Sequence, residues 1–187
     1  MKIKLKKFKK VKSTNDVALN LIKKNISEPT LIMAEQQTNG RGRIGKKWIS
    51  QKGNIFISLF FKFDQKKISF KQFAILNALL LRKMLSKKIS KNISIKWPND
   101  LLFNKHKFCG ILQEVVTFNN LNYLIVGIGL NTNIAPETKD LKSTCLKDIL
   151  NKKISNQKIL RDLIIIYEKF LFEKNKLSFL DLKRKYK

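Results

Sequence analysis

The chain is poor in the side chains on which much enzyme chemistry depends. Its 187 residues include one histidine (His106), two cysteines (Cys109 and Cys145), seven glycines and three prolines. A single histidine argues against a Ser-His-Asp triad or a multi-histidine metal centre. Between Lys105 and Lys107, it reads as an exposed loop residue. Two cysteines make no disulfide framework, and neither lies in a metal-ligand cluster. No run approaches the roughly 18–20 apolar residues a membrane helix needs. The basic N-terminus has no apolar stretch behind it to make a secretory signal. The expectation is a cytoplasmic protein with no membrane partner. Acid is scarce too: 13 Asp and Glu face 40 Lys and Arg, for a formal charge of +27.

That charge admits two readings. One is nucleic-acid binding, which predicts tight and steeply salt-dependent association with oligonucleotides. The other is composition: Lys, Ile and Asn, all with AT-rich codons, supply 75 of the 187 residues, and the lysines are spread along the chain, not gathered in one stripe. The spread favours the second reading. Lys2–Lys12 and Lys183–Lys187 then read as solvated faces, and no specific DNA partner is expected.

Scarcity makes the remaining glycines and arginines informative. Average usage would give about 13 Gly, and three of the seven present are Gly40, Gly42 and Gly45. Of the 40 basic residues only five are Arg, and two of these, Arg41 and Arg43, alternate with those glycines. Lysine serves for bulk charge, so arginine here suggests a use for its planar fork on carboxylate or phosphate. The segment Gly40-Arg41-Gly42-Arg43-Ile44-Gly45, followed by Trp48, can wrap backbone N–H groups around an anion. It is neither a Walker loop nor a dinucleotide fingerprint. The alternative is an RNA-binding Gly-Arg segment.

Three further segments carry chemistry. Lys96-Trp97-Pro98-Asn99-Asp100 gathers a lysine, an amide and a carboxylate at a turn, where Asn99 and Asp100 can serve Mg²⁺ and phosphates, or simply form a turn. In Lys107-Phe108-Cys109-Gly110-Ile111-Leu112-Gln113-Glu114, a glycine interrupts a strand, a sign of a bulge or of close ligand approach. The alternative is a plain strand. Val126-Gly127-Ile128-Gly129-Leu130-Asn131-Thr132-Asn133 opens the backbone of an apolar strand to packing and ends on Asn131, which can read a base edge or start an Asx turn.

Periodicity places these segments. Residues 2–9 alternate like a strand. Ser13-Thr14-Asn15-Asp16 reads as a helix N-cap with an acid at the third helical position, a capping-box variant, with an amphipathic helix to about Lys24. Strands are expected over Thr30–Glu35 and Asn54–Phe63, separated by the polar loop Gln36–Lys52. A long helix over Ile68–Lys88 buries Ile68, Phe73, Leu76, Leu80 and Met84. Short strands over Ser94–Trp97 and Leu101–Phe103 flank the proline turn. Phe108–Phe118 and Tyr123–Ile128 form an antiparallel pair turned at Asn119-Asn120. Helices follow over Leu146–Asn151 and Asn156–Lys174. The order predicts an α+β fold: a mixed, largely antiparallel sheet with helices packed against it.

Taken in order, Ser13-Thr14-Asn15, Ala34-Glu35 with Gln37, Gly40 to Arg43 with Trp48, Lys96 to Asp100, Lys107 to Glu114 and Val126 to Asn131 resemble the catalytic domain of biotin–protein ligases, a class II synthetase-like fold. The resemblance implies an ATP-dependent, AMP-forming enzyme. It would activate biotin and pass it to a lysine of the biotin carboxyl carrier protein of acetyl-CoA carboxylase or a related carboxylase. It implies that Ser13, Thr14, Asn15 and Gln37 line a biotin pocket with Gly40. Arg41, Gly42 and Arg43 would close over biotinyl-adenylate. Lys107 would meet the biotin carboxylate and the α-phosphate, and Gly110 and Leu112 would border biotin through their backbone. Trp48 and Asn131 would flank adenine, with Lys96 among the ATP contacts, and Asn99 and Asp100 would serve the phosphates and Mg²⁺. Lys107, Asp100 and Arg43 would be catalytic, with Asp100 the nearest candidate base for the acceptor amine. Ile44 and Lys46 stand where the family often has further arginines. The chain is expected to be one catalytic domain over residues 1–187, without the family's helix-turn-helix or small C-terminal β-barrel, acting as a monomer or homodimer. Two alternatives remain: a lipoate or octanoate ligase or transferase of the same fold, and a basic nucleic-acid-binding protein.

Overall fold

The computed structural model describes residues 2–89, 93–137 and 142–187. Seven strands form one sheet: β1 (Lys4–Val11), β2 (Thr30–Gln37), β3 (Ile55–Lys62), β4 (Ile93–Lys96), β5 (Asp100–Phe103), β6 (His106–Phe118) and β7 (Leu121–Leu130). Their order is β1-β2-β3-β7-β6-β5-β4. Only β1 and β2 run parallel; the other neighbours are antiparallel. The helices are α1 (Thr14–Lys23), α2 (Phe70–Ser86), α3 (Leu146–Leu150), α4 (Asn156–Glu173) and α5 (Phe179–Tyr186). The expected α+β class is therefore the observed one. Among the described residues no helix is long and apolar enough to cross a membrane.

Alternation along the central strands supplies both sheet faces. Leu31, Ile57, Leu59, Phe61, Leu124 and Val126 point to the side covered by α2, α4 and α5 and join Phe73, Leu76, Leu80, Leu163, Phe170 and Leu182 in the main core. The intervening Ile32, Phe60, Tyr123 and Ile125 pack on Ala18 and Ile22 of α1. Such two-sided burial needs near-continuous apolar strands, and β3 reads Ile-Phe-Ile-Ser-Leu-Phe-Phe. Ser58 is the polar exception there, fully buried on the α1 side, and it belongs to the site described below.

Several expectations need correction. Ser13 is the N-cap of α1, but its side chain makes no cap hydrogen bond. Asp16 turns away to pair with Arg41, so no capping box forms there; a guanidinium outcompetes a backbone N–H for the carboxylate. Capping boxes occur instead at Ser69–Gln72, opening α2, and at Ser178–Asp181. The latter opens α5, a helix not expected from the sequence. Lys183, Arg184 and Lys185 form its exposed face, while Leu182 and Tyr186 are buried. His106 begins β6 after a tight turn whose residues Asn104 and Lys105 both have positive φ; it is half-buried, not a loop residue.

Candidate active site

The α1 side of the sheet carries a cavity of about 860 Å³, within the range of small-molecule sites. It lies where α1 starts, where β5, β6 and β7 meet, and under the loop that joins β2 to β3. One end is polar and uncharged. Gln37 Oε1 accepts from the Thr14 backbone N–H at 2.8 Å and lies 3.1 Å from Thr14 Oγ1, while Gln37 Nε2 donates to Ser50 Oγ. Ser58 donates to Asn15 Oδ1, and its Oγ lies 2.7 Å from Thr14 Oγ1. Asn15 Nδ2 donates to Glu114 Oε2 at 2.5 Å. Ser13, Thr14 and Asn15 are all buried, so the start of α1 is a preset row of hydroxyl and amide groups.

The other end is charged. Lys107 Nζ lies 2.8 Å from Asp100 Oδ1. Asp100 pairs directly with Gly110 across β5 and β6, so the two share a sheet face. Lys107 is three residues from Gly110, and in a regular strand it would point to the opposite face. An extra residue prevents this: Leu101 pairs with Cys109 and Leu102 with Lys107, leaving Phe108 bulged out of the pairing. The bulge returns Lys107 to the cavity side, a usual service of bulges near sites. The sequence suggested a bulge or a close approach at Gly110. The bulge is at Phe108, and the close approach is at Gly110 itself.

What approaches is Trp48. A Cβ on Gly110 would stand 2.5 Å from Trp48 Cζ3, and one on Gly129 would overlap the Cε2–Nε1 edge of the indole. Gly110 and Gly129 are paired neighbours on β6 and β7, so together they form a flat bed for the ring. Lys107 Nζ stands 5.1 Å from its centroid, in cation–π range. Asn131, at the end of β7, donates from Nδ2 to the Thr144 carbonyl. Its Oδ1 and Trp48 Nε1 are buried and have no hydrogen-bond partner among the described residues.

The Gly-Arg loop lies over this cavity. Within it, Gly42 N–H donates to Lys46 O and Trp48 N–H to Gly40 O. Arg41 pairs with Asp16 of α1 and reaches both oxygens of Glu114 on β6 at 3.0 Å. Burial works against its charge, but Asp16 and Glu114 outweigh it and hold the guanidinium above its ordinary pKa. Arg43 Nη1 donates to Asn99 Oδ1 at 3.3 Å near the solvent.

The sequence-derived residues thus converge. Ser13, Thr14, Asn15, Gln37, Arg41, Gly42, Arg43, Trp48, Lys96, Asn99, Asp100, Lys107, Gly110, Leu112 and Asn131 all line the one cavity. Gly40 does not; it lines a smaller adjoining recess with Leu112 and Glu114, locked against Trp48 O and Ser50 Oγ. Ser58, Asp16 and Glu114 were missed as site residues. Ser58 carried a signal, being the one polar residue inside an apolar strand. Asn54 was also missed. Its Oδ1 accepts from the backbone N–H groups of Thr132, Asn133 and Ile134, each at 3.0 Å, bracing the segment just after Asn131.

Among the described residues no group of three or more His, Cys, Asp or Glu could hold a metal. Asp100 supplies one carboxylate, ion-paired with Lys107, although the pair is not aligned as a hydrogen bond and leaves the buried Oδ1 without one among the described residues. That donor set suits a magnesium ion carried on substrate phosphates more than a resident metal.

The comparisons with known proteins agree with this geometry. A sequence model of the Biotin/lipoate A/B protein ligase family matches residues 7–131. The chain is 34% identical over 164 residues to the Bifunctional ligase/repressor BirA of Bacillus subtilis, covering 84% of this chain and 50% of that protein. It is 34% identical over 128 residues to the Biotin--[acetyl-CoA-carboxylase] ligase of Paracoccus denitrificans, covering 67% of this chain and 53% of that one. The chain therefore spans about half the length of these curated relatives. A solved structure of the biotin protein ligase from Aquifex aeolicus, in complex with biotin and ATP, superposes with a TM-score of 0.79 at 32% identity, covering 98% of this chain and 76% of that one. Site, fold and likeness converge on one assignment: the chain belongs to the biotin/lipoate A/B protein ligase family.

Proposed function

We propose that the chain activates biotin with ATP to biotinyl-5′-AMP and transfers the biotinyl group to a lysine of a biotin carboxyl carrier protein. The observation that carries this reading is the single cavity in which an uncharged hydroxyl–amide end and a Lys107–Asp100 end meet beside the Trp48 bed. The first end suits a ureido ring, which is neutral and rich in donors and acceptors. The unpartnered Asn131 Oδ1 suits an exocyclic amine of adenine; a buried acceptor without a donor costs stability unless a ligand supplies one.

In the first step a biotin carboxylate oxygen attacks the α-phosphorus, and the bond to pyrophosphate breaks. In the second an acceptor amine attacks the acyl carbon, AMP leaves and the nitrogen loses a proton. Lys107 neutralises charge between carboxylate and α-phosphate, and Arg43 meets the anionic intermediate. Both steps depend on positioning and charge neutralisation, so neither His106 nor a thiol is needed. Burial raises the Cys109 thiol well above its ordinary pKa and suits it to packing alone. Asp100 and the Asn99 carbonyl would hold Mg²⁺ on the phosphates, where the ion supplies further charge neutralisation.

The test is biotin-dependent exchange of pyrophosphate into ATP, followed by labelling of a carrier domain. Exchange with biotin and none with lipoate is expected. Exchange driven by lipoate would move the chain to the lipoate branch, and exchange with neither would remove the adenylation reading.

A further inference from the structure

We propose that Glu114 and Asp16 are positioning residues that hold the Gly-Arg loop closed through Arg41, and that Glu114 couples this closure to the floor of the polar pocket through Asn15. The inference rests on the adenylation reading above for its consequence, but not for its geometry.

The loop's internal bonds, Gly42 N–H to Lys46 O and Trp48 N–H to Gly40 O, fold it on itself without attaching it to the body. Ordering a segment with three glycines costs backbone entropy, and contacts to rigid elements must offset that cost. Arg41 makes such contacts twice, to α1 through Asp16 and to β6 through Glu114. Each partner is about one-third exposed, so an isolated pair would contribute little. A single fork gripped by two carboxylates on separate elements restricts the loop in direction as well as distance. Among the described residues Arg43 makes no comparable tie, having one long, exposed contact to Asn99. The two arginines therefore divide the work: Arg41 faces the body and Arg43 faces the ligand.

Glu114 does more than hold Arg41. Its Oε2 also accepts from Asn15 Nδ2 at 2.5 Å, and Asn15 Oδ1 accepts from Ser58. One carboxylate is thus shared by the lid and the pocket floor. A ligand that fixes Asn15 also fixes the anchor of Arg41, so an occupied pocket favours a closed loop.

The test uses the full chain. Trypsin can cut the loop after Arg43, Lys46 and Lys47 with no ligand present. Glu114→Gln keeps shape and an acceptor for Asn15 but removes the charge, and Asp16→Asn is its partner variant. Each should raise cutting at 43–47 roughly tenfold, in proportion to the open population. Combining Arg41→Met with Glu114→Gln should add little further. With biotin, Mg-ATP and hydroxylamine, both carboxylate variants should release biotinyl hydroxamate several times faster than the unaltered chain, with pyrophosphate exchange changed less. Wild-type cutting in both variants overturns the proposal. So does faster cutting spread over the whole chain, which reports unfolding, and so does faster loop cutting without faster hydroxamate release. If the unaltered chain shows neither exchange nor hydroxamate but the loop cutting shifts as stated, the clamp stands and the adenylation reading falls.

Discussion

Lys107 and Asp100 face each other at 2.8 Å across two strands only because Phe108 bulges out between them in register. The pair is half-buried, at 24% and 14% side-chain exposure, on the wall of the cavity. Removing either leaves an uncompensated charge as well as a missing contact.

Lys107→Ala and Asp100→Ala are each expected to lower biotin-dependent pyrophosphate exchange by about 10²–10³, the usual cost of one positioned group at a developing charge. The double variant should lose much less than the product of the two, because the residues act as a unit. Lys105→Ala, in the preceding turn, is the control. Exchange within threefold of the unaltered chain in either single variant would take that residue out of the reacting centre.

Gly110→Ala and Gly129→Ala should displace the Trp48 indole, since each new Cβ occupies ring space. The Michaelis constant for ATP should rise more than that for biotin. Tryptophan emission should shift to the red, read in a Trp97→Phe background because Trp97 is exposed. In a Trp48→Ala chain, adding Gly129→Ala should cost little more. Additive losses would mean that the glycines serve some other contact.

Ser58→Ala removes the hydroxyl that orients Asn15 and Thr14. Biotin affinity should fall about tenfold, or about 1.4 kcal/mol, with the ATP constant unchanged. Equal weakening of both substrates would show a general loss of fold instead.

Far from the cavity, Tyr186 donates to Glu173 Oε2 at 2.7 Å and Lys185 pairs with Oε1. Burial raises the Glu173 pKa, but the Lys185 and Tyr186 hydrogen bonds outweigh it and hold the carboxyl below its ordinary value. The stability this contributes is present above the pKa of the unfolded carboxyl and is lost as pH falls through the lower folded value. Tyr186→Phe should cost about 1–2 kcal/mol near neutral pH. Glu173→Gln should flatten the acid limb of the melting profile. An unchanged acid limb would mean that α5 is held by its apolar face alone.

Patterns that depend on neighbours in the chain are legible in the sequence. The α2 stripe at Phe73, Leu76, Leu80 and Met84 is buried as its period requires. The Asn119-Asn120 turn has the two positive φ values that a tight hairpin needs. The frugal use of Gly and Arg picked out Arg41, Gly42 and Arg43, because a residue type kept against compositional drift is kept for space or geometry, and the interruption of apolar strands picked out Gly110 and Gly129. The family resemblance, not composition, supplied the other named residues of the cavity, Ser13, Thr14, Asn15, Gln37, Asp100 and Lys107 among them.

What stayed hidden depends on distance in three dimensions. Asp16 looked like a cap because its nearest partners in sequence are backbone N–H groups, yet Arg41, 25 residues away, takes it. Glu114 looked like an ordinary strand residue, because nothing local says that Asn15 and Arg41 converge on it from 99 and 73 residues away. The face on which Lys107 stands follows from a register shift against β5, which no single strand encodes. Local sequence determined which residues have special chemistry, since propensity and side-chain type act over a few positions. Tertiary structure alone decided which of them touch, because register, bulge and loop closure arise only when separate elements share one sheet.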